Sequence, residues 1–144
     1  MRLWHISMIK YLPDLQLRGQ WRECVLIADA LARYGTPNHL LVNRITEYPF
    51  DDFATYSSKV KEELLRRGIG ITTDSVSNVF FKSWNYVYDN PIFDGWHNEE
   101  YLRVCYANLY EKHRFGIGKS RITDEEWQVL LDGYMAITGE EYKI

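Results

Sequence analysis

Apolar positions early in the chain recur at alternating spacings of four and three. Leu17, Trp21, Cys24, Ala28 and Leu31 fall on one stripe of a helix, which predicts a first long helix over 13–34. Pro13 suits its first turn, and Gly35-Thr36-Pro37 ends it. Arg22 and Glu23 project away from the centre of that stripe. Upstream, Ser7 is the expected cap of a brief turn before Pro13. A shorter helical piece, about 39–47, precedes Tyr48-Pro49. Asp51 or Asp52 is then the expected cap of another helix, which runs to Arg67 and stops at Gly68. Phe53, Tyr56, Val60, Leu64 and Leu65 supply its buried side. Lys59, Lys61, Glu62, Glu63, Arg66 and Arg67 supply a mixed-charge outer face.

Residues 69–73 and 79–88 are rich in branched and aromatic side chains, and they read as irregular packing segments in preference to strands. Asn98 caps a helix with Glu99 and Glu100 in its first turn, continuing to about Arg114. Gly116-Ile117-Gly118 breaks it. Thr123-Asp124-Glu125-Glu126 has the form of a capping box and opens a last helix ending near Gly139. Without repeats, low-complexity tracts or linkers, residues 1–144 read as one all-α domain.

Composition adds three constraints. Eleven Tyr, six Phe and five Trp can build a core or a stacking surface. The net charge of -3 excludes a chain that is basic throughout, so any nucleic-acid contact needs a local patch. Such a patch exists: Lys112, His113, Arg114, Lys119 and Arg121 follow one another with no acid between Glu111 and Asp124. Its plainer reading is a solvated helix end whose cations suit the C-terminal dipole. Gly118-Lys119-Ser120 matches the end of a phosphate-binding loop, but His113 stands where that motif needs its first glycine, so the motif fails.

Cys24 and Cys105 form no CxxC pair, and His5, His39, His97 and His113 lie far apart with no metal-ligand spacing. No metal and no cofactor is expected. Residues 1–10 lack the apolar run of a signal peptide and no stretch approaches transmembrane length, so a cytoplasmic protein that avoids membranes is expected; a monomer is expected as well.

The N-terminus offers chemistry of its own. An α-amine has a reference pKa of roughly 7.7–8.0, so on the order of a tenth is nucleophilic at neutral pH. Cations such as Arg2 and Arg22 would increase that fraction by disfavouring the ammonium. An amine of this kind forms a Schiff base at a sugar's anomeric carbon, and a carboxylate such as Glu23 can shuttle the protons.

These residues also carry a resemblance. The run from Leu12 through Pro13, Asp14, Leu17, Gln20, Trp21, Arg22 and Glu23 resembles the first-helix segment of the phage endonuclease V type of pyrimidine-dimer DNA glycosylases. Phe53-Ala54-Thr55-Tyr56 through Glu63-Leu64-Leu65-Arg66-Arg67-Gly68-Ile69-Gly70-Ile71 resembles their second long helix and the turn that ends it. A weaker match covers Ala107–Lys112, and the opening Met-Arg-Leu-Trp is similar to that of a bacterial branch of the family. The resemblance implies an all-helical protein that flips a nucleotide from duplex DNA and cleaves its glycosidic bond with the N-terminal α-amine. Strand nicking by β-elimination then follows. By position it implies Met1 as nucleophile, Glu23 as catalytic glutamate, and Arg2, Arg22 and Lys112 as DNA contacts, to which the basic run adds Lys119 and Arg121. Here Arg2 replaces the family's exposed Thr, and Gln16 and Leu26 stand where it has His and Arg. Two other readings remain: a non-catalytic nucleic-acid or protein-binding module, and an N-glycosidase acting on a nucleotide.

Overall fold

A computed structural model of the chain describes residues 2–34, 40–71 and 91–144. Among these the fold is helical and contains no strand. A 3-10 helix, Ile6–Tyr11, is followed by α1 (Asp14–Tyr34), α2 (Leu40–Thr46), α3 (Phe50–Arg66), α4 (Glu99–Arg114) and α5 (Asp124–Thr138), with a second 3-10 turn at Gly118–Ser120. No described helix is long and apolar enough to cross a membrane. The reading of 79–88 and the position of His39 fall outside the described residues, as do 72 and 73, while 69–71 are irregular as expected.

The chain divides into two units. The first takes Met1–Leu3 and Arg18–Asp94, the second Trp4–Leu17 and Gly95–Ile144. In the first unit α2 packs on α3. The buried side of α3 is Phe53, Tyr56, Val60 and Leu64 as the periodicity predicts, but Leu65 is exposed. Neither Asp51 nor Asp52 caps this helix, because Pro49 occupies that position without a side-chain bond. Asp52 is instead buried and accepts the backbone N–H of Phe93 at 3.0 Å, so its carboxylate ties the next segment to the helix. Tyr48 holds the same segment, donating its hydroxyl to the Asp94 carbonyl at 2.7 Å and meeting the Phe93 ring edge-on at 5.5 Å. Glu63 is buried and not on the outer face. Arg66 and Arg67 donate to it at 2.8 and 2.9 Å, and the Arg66 bond chiefly holds its carboxyl below the ordinary carboxylate range.

In the second unit the 3-10 helix lies against α5, close enough that a side chain on Gly133 would collide with the Tyr11 ring. Its cap is His5, not Ser7: the imidazole accepts the Ser7 N–H at 3.1 Å and so fills the place a serine side chain was expected to take. Asn98 caps α4 through the Tyr101 N–H, and Thr123 with Glu126 closes a full capping box on α5, both as the sequence predicts. Tyr106 is fully buried, donates to the Leu130 carbonyl at 2.7 Å, and packs edge-on to Tyr134 with centroids 5.0 Å apart. Tyr106, Tyr134 and Trp127 are core.

Candidate active site and basic turn

The stripe on α1 runs through Leu17, Gln20, Cys24, Ile27 and Ala28, all nearly inaccessible. Trp21 and Leu31, expected in it, are only half-buried. A glutamine can take a core position because both ends of its amide are used. Gln20 Nε2 donates to the Arg2 carbonyl at 3.1 Å, and the buried Tyr56 hydroxyl donates to Gln20 Oε1 at 3.0 Å. One side chain thus joins the first residues of the chain to α1 and to α3. Leu3, fully buried, anchors the same segment.

Glu23 follows Gln20 by three positions and therefore lies one turn along the same side of α1. It is half-buried, and its Oε2 is buried without a hydrogen-bond partner among the described residues. A carboxylate oxygen in that state is costly unless water, an ion or a ligand completes it, and Asp29 Oδ1 and Ser57 Oγ share that state among the described residues. The neighbouring Cys24 is no rival nucleophile, since burial pushes its thiol up to about 12.

Arg22 lies elsewhere. Consecutive helical residues point about 100° apart, and Arg22 sits on the far edge of the stripe from Glu23. There it lines a cavity of about 440 Å³ together with Arg18, Trp21, Val25, Leu64 and Ile71. The Arg22-Glu23 pair of the sequence is thus divided. Gln20, which holds the Arg2 carbonyl, and Glu23 share one edge of α1, while Arg18, Trp21 and Arg22 share the other. Two guanidiniums beside an indole suit a phosphate next to a flat ring. Arg18 was not singled out from the sequence, although its spacing of four from Arg22 carried the signal. Met1 lies outside the described residues.

The remaining predicted residues are in the second unit. Lys112, in the last turn of α4, and Lys119 and Arg121, on the turn after it, are all exposed, and none of the three makes an ion pair among the described residues. His5 and His97, far apart in sequence, stack with centroids 5.2 Å apart. Burial, then the charge of His5, lowers His97 to about 3, and burial lowers His5 as well. No group of three or more metal-ligating side chains occurs among the described residues.

A family model described as pyrimidine dimer DNA glycosylase matches residues 1–76. That span contains Gln20, Glu23, both arginines of the cavity and Tyr56, but not the basic turn. No curated protein and no solved structure matches the chain.

Proposed function

Because the chain belongs to the pyrimidine dimer DNA glycosylase family, we propose that it excises a damaged base from duplex DNA and then nicks the strand as an AP lyase of the endonuclease V type. The Met1 α-amine attacks C1′ of the damaged nucleotide. The glycosidic bond breaks, the base leaves with a proton, and a Schiff base remains on the opened sugar. Removal of the C2′ proton then expels the 3′ phosphate by β-elimination. Glu23 takes and returns the protons. Arg2 disfavours the ammonium form of the amine, and Arg22, with Arg18, holds phosphate. Lys112, Lys119 and Arg121 add contacts to the backbone.

One observation carries the reading. Gln20 fixes the Arg2 carbonyl at 3.1 Å from its amide, one helical turn from a carboxylate whose Oε2 is buried and has no hydrogen-bond partner among the described residues. Borohydride trapping on a duplex with one abasic site tests it, using native protein, protein with a blocked N-terminus and Glu23→Gln. A covalent adduct lost only on blocking identifies the amine, and nicking lost in Glu23→Gln assigns the glutamate. No adduct, or one indifferent to the block, ends the catalytic reading and leaves a binding module.

A second reading draws on the cavity. An opening of about 440 Å³ with two arginines and a tryptophan also suits a free nucleotide, so N-glycosidic cleavage of a small substrate is the alternative. Duplex DNA gives a steep fall of affinity with salt, and a small substrate a shallow one.

A further inference from the structure

The turn between α4 and α5 combines two features that folded proteins normally separate. Phe115 is 73% exposed and Ile117 is 84% exposed. Around them Lys112, Arg114, Lys119 and Arg121 are also exposed. Single exposed apolar side chains are ordinary, as at Leu40 and Ile144; two of them on one turn inside a cationic rim form a candidate contact surface.

The turn is also built to hold this arrangement. Its base is closed by the Ile122 N–H donating to the Lys112 carbonyl at 3.3 Å and by His113 Nδ1, 3.1 Å from the Ile122 carbonyl. The His113 ring lies flat on Trp127, with centroids 5.4 Å apart and planes 10° apart. Within the turn, the Ser120 hydroxyl donates to the Ile117 carbonyl at 3.0 Å, and the Arg121 N–H to the Gly118 carbonyl at 3.3 Å. Gly116 passes so close to the Lys112 carbonyl that any side chain there would collide with it. Phe115 and Ile117, on either side of that contact, are held out from the protein. Arg114 lies over the Phe115 ring at 5.9 Å and leaves its outer edge bare.

We propose that this turn is a DNA wedge, in which Phe115 and Ile117 enter between base pairs while Lys112, Lys119 and Arg121 hold the flanking phosphates. The proposal rests on the reading of duplex DNA as substrate and adds the residues that would open the stack. Charge selects the partner, because exposed cations with no ion pair among the described residues, in a chain of net charge -3, favour a polyanion. Shape selects between polyanions. Apolar wedges between base steps are a recurring device of proteins that kink DNA, whereas insertion into an anionic membrane draws on the broad apolar face of an amphipathic helix. Two side chains on one tight turn match the first.

The test uses full-length protein and a duplex carrying a reduced abasic site, which cannot form a Schiff base, with 2-aminopurine at the adjacent step. Wild type should raise the 2-aminopurine fluorescence as the stack opens. Phe115→Ser with Ile117→Ser should abolish that rise and weaken binding about tenfold, with the salt slope unchanged. Lys112→Ala with Lys119→Ala and Arg121→Ala should make the slope shallower by roughly 0.9 per cation removed. Both sets of replacements are on exposed side chains, so melting temperatures should match wild type. A wedge variant with wild-type affinity and fluorescence overturns the proposal, as does tighter binding to phosphatidylserine vesicles than to the duplex. Borohydride trapping separates the two readings. An adduct with an inert wedge overturns the wedge alone, and a wedge-dependent rise without an adduct overturns the lyase alone.

Discussion

Around Gln20 the protein buries an amide and bonds it at both ends, and around Phe115 it exposes apolar groups beside lysines that make no ion pair among the described residues. On the first site, an amide spans Arg2 and Tyr56 inside a core, and one carboxylate oxygen of Glu23 is withdrawn from water. On the second, cations and two apolar side chains stand in solvent on a turn closed from below. A substitution at the first is therefore felt as lost stability, lost chemistry or both. At the second it is felt by the ligand, and the fold hardly notices. The family match includes the first and ends before the second, so the edge that carries Gln20 and Glu23 is the part shared with the family.

The largest effect should separate chemistry from stability within the buried edge. Glu23→Gln is expected to slow nicking of an abasic duplex by about 10²–10⁴-fold. Its melting temperature should hold or rise, since Oε2 has no hydrogen-bond partner among the described residues to lose. A fall in melting temperature with unchanged nicking would reverse the assignment. Next comes Gln20→Leu, which removes both hydrogen bonds of the amide at once. Each is worth about 1–3 kcal/mol when lost from a buried site, so denaturant unfolding should show a loss of about 2–5 kcal/mol, and Tyr56→Phe a smaller part of it.

The comparison is then probed from the exposed side. Gly116→Ala forces a side chain into the Lys112 carbonyl and should destabilise by about 1–3 kcal/mol, as overpacking does. Unlike the surface variants, it should reduce DNA binding through the shape of the turn.

A similar loss is expected from acid. His5 and His97 are neutral when folded because their proton affinities are lowered by burial. The unfolded chain binds those protons more readily, so stability is complete above the unfolded value near 6.5 and falls as pH drops towards about 3. For one such imidazole the decline between pH 6.5 and 5 is about 2 kcal/mol. Phenylalanine at position 97 should flatten that dependence in thermal melts. Smallest of all, Lys119→Ala should change stability by less than about 0.5 kcal/mol while still lowering the salt slope of DNA binding.

Much of this was readable in the residues. Periodicity identified α1, α3 and the buried side of α3, and the caps at Asn98 and Thr123 were legible because capping is a local rule of side-chain reach. What escaped depends on partners far along the chain. Gln20 counts as polar in any pattern, yet Arg2 and Tyr56 make it a core residue. Asp52 reads as a cap and instead serves Phe93. His5 and His97 show no ligand spacing, since their stacking depends on tertiary structure. Arg22 and Glu23, adjacent on paper, are sent to different edges by the helix itself, which was computable from the spacing alone.

The order in which the chain visits its two units has an evolutionary corollary. Met1–Leu3 belongs to one unit, Trp4–Leu17 to the other, and the chain then returns to the first before ending in the second. Neither unit is a contiguous stretch of gene. A lineage could not acquire or discard one by recombination at a single crossover without carrying off part of the other. A fragment cut at residue 76, where the family match stops, would inherit neither unit whole.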